Sequence, residues 1–314
     1  MEERIKTILA KYDIDISNSD NNSTKLCNLK QIYDTAWQVG DTYILKVYDD
    51  LTMLERNIRI ITVLDSMNIP VGSIIPTVEN KTYVQDEEYH YILTERLQGK
   101  YIESIKGNMG LACEMGRIIA KLHLAFKECE CQNEFWNNSL LAEMKGWIKD
   151  TLENDGWKYI SERQYDDIVS KLELLYDKLP VQLIHRDVHF GNFLFDEGKF
   201  SGYIDFDLSQ RNIRIFDLCY FMLGLLSEEE QLEVTEDEWF DILKQVFLGY
   251  EKLIQLSAEE KQAVPYVMMC IELLFVAWFV GQNDIGCAED AVRIYNFVEK
   301  NVMKIMQGIS NKEN

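Results

Sequence analysis

Apolar and polar positions recur with two different periods along this chain, and the change from one to the other divides it. Residues 2–12 have the spacing of a short amphipathic helix. From Leu26 to Asp49 the pattern is strand-like, with Tyr33 to Val39 and Tyr43 to Tyr48 as the clearest runs and Gly40-Asp41 as the hairpin turn between them. Leu54, Ile58, Ile61 and Leu64 then fall at helical spacing, which predicts a helix over Leu51 to Met67, ended by Ile69-Pro70-Val71-Gly72. Tyr83-Val84 and Tyr89 to Leu97 predict two more strands around the polar turn Asp86-Glu87-Glu88.

After Gly99 the helical period takes over. Met115, Ile118, Ile119, Leu122 and Phe126 line one side of a helix over Leu111 to Cys129, and Ser139 to Thr151 and Arg163 to Leu179 read as further helices. A short strand, Val181 to Ile184, precedes a second β-rich patch whose turn, Asp196 to Lys199, closes a hairpin back to Ile204. From Ile215 onward nearly everything is helical by period. The expected architecture is α+β: an N-terminal lobe of residues 1–97, small and β-rich with one packed helix, and a larger, mainly helical lobe of residues 98–314. The boundary falls near Glu95 to Gly99, where a hinge under a cleft is expected.

The most informative stretch is Leu183 to Phe195, followed by Tyr203 to Asp207. It sets Asp187, Asn192 and Asp205 on short turns between apolar β-type segments. Phosphoryl transfer from a nucleotide needs such a set: one carboxylate to orient an attacking hydroxyl, plus an amide and a carboxylate for Mg2+. His185-Arg186-Asp187-Val188-His189-Phe190-Gly191-Asn192 resembles the HxDxHxxN loop of the aminoglycoside phosphotransferase and choline kinase family. Ile204-Asp205-Phe206-Asp207 resembles that family's metal-binding strand end, and Ile215-Phe216-Asp217-Leu218-Cys219-Tyr220 is similar to the helix start beyond it. The resemblance covers roughly residues 25–225.

The resemblance implies a bilobed protein-kinase-like fold and transfer of the ATP or GTP γ-phosphoryl group to a hydroxyl of a small molecule. It makes Asp187 the catalytic base or orienter, with Asn192 and Asp205 holding Mg2+. It brings Lys46 to the α/β-phosphates with Glu55 as its ion-pair partner, and it puts the purine edge on backbone groups near Glu95 and Leu97. The loop before Trp37 has no glycine, so Thr35 or the backbone around Asp34 is expected at the phosphates. Asp207 is read as a second metal or substrate ligand, because a carboxylate two residues on in a strand faces the same side as Asp205. His189 is either substrate-facing or structural. Asp217 is expected to cap its helix or brace the loop, and His123 to be a satisfied core histidine. Glu272, Trp278 and Asp284 are acceptor-side candidates near one apolar-aromatic face.

Two rival functions are weaker. Between Asp205 and Asp217 there is no room for the activation segment of a protein kinase, and no Ala-Pro-Glu element follows. A non-catalytic kinase-fold protein, as among spore-coat relatives, would be expected to have lost one of Lys46, Asp187, Asn192 and Asp205, and all four are present.

Composition narrows the partners. The net charge of −21 argues against nucleic acid. It is compatible with a cationic acceptor drawn in by a negative field, and equally with acidity that only maintains solubility. Val264 to Gly281 is the most apolar segment, but Pro265 and Glu272 interrupt it, so a buried helix is expected and no membrane span. The first residues lack a secretion-signal pattern, and the scattered cysteines suit reduced thiols, so a cytoplasmic location is expected. Amphipathic helices bury their faces in monomers and dimers alike, so oligomeric state stays open.

Overall fold

The computed structural model describes residues 2–14, 29–227 and 234–310. Cys27 and the start of the strand-like run at Leu26 lie outside the described residues. In chain order the elements are α1 (Glu2–Leu9), β1 (Leu29–Tyr33), β2 (Ala36–Val39), β3 (Tyr43–Tyr48), α2 (Leu51–Ser66), β4 (Val84–Asp86), β5 (Tyr89–Glu95) and α3 (Met109–Gln132). Then come α4 (Leu140–Glu143), a π turn over Met144–Ile148, α5 (Lys149–Asn154), α6 (Glu162–Tyr176), β6 (Val181–Ile184), a 3-10 turn over Phe190–Asn192, β7 (Phe193–Asp196), β8 (Lys199–Tyr203) and β9 (Gln210–Ile213). The chain continues with α7 (Ile215–Gly224), α8 (Glu236–Glu251), α9 (Ala258–Gln282), α10 (Ile285–Lys300) and α11 (Val302–Ser310).

Two compact units result: Met1–Tyr101 with Phe193–Asp207, and Ile102–Asn192 with Leu208–Asn314. The first differs from the 1–97 segment in taking up the β7–β8 hairpin. Backbone hydrogen bonds explain why, since Lys100 and Phe195 exchange both of theirs and Tyr203 N donates to Pro70 O.

The first unit is built on an antiparallel sheet in the order β1-β2-β3-β5-β4. Lys46 pairs in register with Ala36 and Ile92. Alternation along these strands sends Trp37, Val39, Leu45, Tyr91 and Leu93 into one core with Ile5, Ile8 and Leu9 of α1. The other face, with Tyr48 and Ile92, packs on Leu54 of α2. Asp50 starts α2 by accepting from the Thr52 and Met53 amides.

The second unit is mainly helical. β6 and β9 form an antiparallel pair against α3. Helices α3 and α8 pack closely because glycines face each other: a Cβ on Gly116 would meet Val246 O at 1.9 Å, and one on Gly249 would meet Cys113 O at 1.9 Å. The segment expected as one helix over Ser139 to Thr151 is interrupted at Gly146, whose φ of −108° and ψ of −118° are not helical. Helix α9 is long and apolar enough to cross a bilayer, yet α6, α7, α10 and α11 cover it and 67% of its most apolar window is buried. The described cysteines are free thiols.

Candidate active site

In the second unit the loop from His185 to Asn192 follows β6 and is held by Asp217 in the first turn of α7. Asp217 is 0% exposed. Its Oδ2 accepts from the His185 amide at 2.9 Å and its Oδ1 from the Arg186 amide at 2.8 Å. His123 Nε2 lies 2.9 Å from the same Oδ2. A carboxylate only accepts, so this nitrogen carries the proton, and Nδ1 accepts from Tyr250 OH at 2.8 Å. His123 is thus the satisfied core residue that its helical face predicts. The brace lets Arg186 adopt a φ of +69°, a left-handed conformation that costs about 1–2 kcal/mol outside glycine. The Arg186 guanidinium is anchored on Glu143 at 2.8 and 3.1 Å.

This geometry presents Asp187. Its Oδ1 accepts from Tyr220 OH at 2.8 Å and its Oδ2 from Asn192 Nδ2 at 2.9 Å. His189 Nε2 lies 3.5 Å from Oδ2, while Nδ1 accepts from the Gly191 amide at 3.1 Å. A Cβ on Gly191 would fall 2.6 Å from the His189 ring, so a larger residue there would push the ring from its place. Burial pushes the Asp187 carboxyl up, but hydrogen bonds from His189 and Tyr220 and the His185 charge outweigh it and bring it down to about 2. Asn192 Nδ2 also donates to Asp187 O at 2.9 Å, which turns the amide nitrogen toward the protein.

In the first unit Lys46, on β3, meets Asp205 Oδ1 at 3.0 Å and Asp207 Oδ2 at 2.6 Å. Burial pulls the ammonium down, but Asp207 and Asp205 outweigh it and hold it above its usual value. Asp205 has a φ of +61° and remains 44% exposed. Asp207 also accepts from Tyr48 OH and Asn57 Nδ2, each at 2.9 Å.

Several expected partnerships take another form. Glu55 pairs with Arg59 at 3.5 Å instead of Lys46, because it lies on an outer face of α2. Thr35 is exposed in the β1–β2 turn, and its carbonyl accepts from Val47 N. The Glu95 amide is committed to Ser73 O at 2.9 Å, and Leu97 packs its side chain against Gly202. Glu272, Trp278 and Asp284 do not share a face. Glu272 is 3% exposed, Trp278 is 53% exposed, and Asp284 caps α10 by accepting from Cys287 N. Positions six apart on a helix are about 240° apart around its axis, which separates the first two. Burial pushes the Glu272 carboxyl well up; Asp290 adds to this and Arg293 opposes it.

Tyr48 and Asn57 were not singled out from sequence, and Tyr220, the last residue of the Ile215 to Tyr220 stretch, was given no role of its own. Tyr220 lies one turn after Asp217 on the same helix face, and Tyr48 lies two residues after Lys46 on the same strand face. Asn57 stands between Leu54 and Ile60 on the buried face of α2, where a polar residue calls for a partner.

The model of the phosphotransferase enzyme family matches residues 30–251, which include both halves of this chemistry. The chain belongs to that family. A homoserine kinase of Neisseria meningitidis serogroup B is 29% identical over 153 residues, 48% of this chain. The aligned stretch covers 47% of that enzyme, about half its length. An amicoumacin kinase solved with AMP-PNP and Ca2+ superposes with a TM-score of 0.69 at 17% identity, over 97% of this chain and 93% of that one. A microcompartment-associated aminopropanol kinase gives 0.65 at 18% identity, over 98% of this chain and 99% of that one. At such identities these structures establish the shared protein-kinase-like fold. The phosphotransferase family and its α+β architecture are those that the His185 to Asp207 motif implied.

Proposed function

We propose that this member of the phosphotransferase family is a nucleotide-dependent kinase that transfers the γ-phosphoryl group of ATP or GTP to a hydroxyl of an amine-bearing small molecule. The observation that carries the reading is Asp187: an ionised carboxylate clamped by Tyr220, Asn192 and the His189 ring. A carboxyl held near 2 is a weak proton acceptor, so its task is to aim the hydroxyl and take its proton late. A loose phosphoryl transition state asks little more of a base. Most of the acceleration then comes from positioning and charge neutralisation.

Lys46 neutralises the α/β-phosphates, and the turn holding Thr35 covers them. Glu95 and Leu97 flank the purine edge, and with the Glu95 amide engaged, Leu97 is the one of the two to supply a backbone N–H. Mg2+ takes hard oxygen ligands, and Asn192 with its amide oxygen and Asp205 with its exposed carboxylate would each offer one. Bound there, Mg2+ would offset charge on the nucleotide phosphates.

Homoserine, the substrate named for the curated relative, and aminopropanol, named for a structural neighbour, both join an amine to a hydroxyl. Aminoglycosides do the same at larger size, and the net charge of −21 suits the cationic aminopropanol and aminoglycosides, whereas homoserine is a zwitterion on which that field has no net pull. His189 and Trp278 are the acceptor-side candidates that keep exposed surface. The reading belongs in the cytoplasm, with small molecules and no nucleic acid as partners. An ADP- and GDP-release screen over homoserine, aminopropanol, choline, aminoglycosides and uncharged sugars tests it. Turnover confined to uncharged sugars would overturn the cationic acceptor. Release with no acceptor, together with no binding of Mg·ATP or Mg·GTP, would overturn the kinase reading.

A further inference from the structure

We infer that Asp207 is the positioning residue of the phosphate-binding lysine, and that helix α2 reaches it through Asn57 where a glutamate was expected. The inference rests on the reading of Lys46 as the phosphate contact.

The two carboxylates on Lys46 are held very differently. Asp207 has both oxygens engaged: Oδ2 by Lys46 at 2.6 Å, Oδ1 by Tyr48 OH and Asn57 Nδ2 at 2.9 Å each. Those two donors are themselves fixed. Asn57 is 3% exposed and its amide also donates to Met53 O at 3.1 Å, one turn earlier on α2. Tyr48 is 5% exposed, and its ring lies 5.3 Å from the Lys46 ammonium. Burial and the Asp207 charge both push the Tyr48 phenol up, so it stays a donor. Asp205 meets Lys46 at 3.0 Å, is 44% exposed, and has no second side-chain donor among the described residues.

The difference assigns separate duties. Lysine is a point charge on a flexible stem with three donors, so an arriving phosphate can take the place of Asp205 on it while Asp207 stays attached. A carboxylate held by three protein donors has little capacity left for a metal or a substrate. Asp207 therefore acts through Lys46, which revises the metal- or substrate-ligand role expected for it. Glu55 cannot substitute for Asn57: residues two apart on a helix point about 200° apart, and Glu55 is spent on Arg59. An amide suits the position better than a carboxylate would, since a second acid beside Asp207 Oδ1 would repel it.

The test compares wild type with Asn57→Ala and Tyr48→Phe in Mg·ATP and Mg·GTP calorimetry and in steady-state turnover with the acceptor found in the screen. Both variants should weaken nucleotide binding and raise nucleotide KM at least fivefold. Acceptor KM and the midpoint of the Mg2+ titration should stay within twofold, which a general loss of structure would not leave intact. Tyr48→Phe removes a single oxygen and keeps the test open if Asn57→Ala folds poorly. Nucleotide binding unchanged within twofold in both variants overturns the inference. So does a fivefold loss in Glu55→Gln with none in Asn57→Ala, or a Mg2+ midpoint that moves while nucleotide affinity does not. Failure of the wild type to bind either nucleotide overturns the reading of Lys46 itself, and is distinguishable because no variant is needed to see it.

Discussion

Replacing Asp217 by asparagine removes one charge at constant shape, and the structure sets how much that should cost. The wild-type carboxylate is 0% exposed and serves three donors: the His123 ring and the amides of His185 and Arg186. Hydrogen bonds to a charged group contribute about 1.5–3 kcal/mol each. An asparagine oxygen turned toward His123 and His185 would keep two neutral versions and aim its NH2 at the Arg186 N–H, donor against donor. Turned the other way it would strand two donors. Weakening two bonds and breaking one sums to about 3–5 kcal/mol, a large share of the roughly 5–15 kcal/mol that folds a domain. With a urea m-value near 3 kcal/mol/M, the midpoint should fall by about 1–1.7 M. Hydrogen exchange at the His185 and Arg186 amides should quicken, and turnover should drop at least a hundredfold because the left-handed Arg186 loses its support. A midpoint shift below about 0.3 M with both amides still protected would refute the bracing argument.

Asp187→Ala should abolish turnover while nucleotide affinity stays nearly intact; a variant with more than a tenth of the wild-type rate would remove Asp187 as the key group. Glu272→Gln should raise Tm at pH 7–8. Its folded carboxyl is pushed well up, so wild-type stability falls as pH rises above the usual carboxylate range, and the advantage should vanish near pH 4, where both side chains are neutral. An unaltered Tm difference across that range would show that burial does not perturb Glu272. Gly116→Ala should cost about 1–3 kcal/mol, because the new methyl would meet the backbone of α8 and neither helix can yield cheaply. Thermal melts would check it, and a loss under about 0.5 kcal/mol would mean that α3 and α8 slide apart easily.

Much of the fold was legible because its signals are local. The strand pair across Gly40-Asp41, the helix from Leu51 and the hairpin across Asp196 to Lys199 follow from period and turn chemistry, although a turn at Asp34-Thr35 splits the run expected over Tyr33 to Val39 into β1 and β2. The break at Gly146 was not legible, since a single glycine in a helical pattern is usually tolerated. Asp187, Asn192 and Asp205 stood out through spacing, whereas Tyr220 and Asn57 did not. Their roles come from hydrogen bonds to residues 33 and 150 positions away in the chain.

The sequence by itself carried the resemblance to the phosphotransferase family, through Asp187, Asn192 and Asp205 at their spacing and a strand lysine that matches the family pattern. It also determined which stretches are sheet and which are helix, because side-chain period is a property of neighbours in the chain. Only the tertiary structure decided which partner each ion keeps. The family pattern paired Glu55 with Lys46 and made Asp207 a metal or substrate ligand, but folding set Asp207 beside Lys46, Tyr48 and Asn57 and turned Glu55 toward Arg59. Hydrogen bonds act over about 3 Å, so their pairing is fixed by where the backbone brings side chains, and no local pattern carries that information.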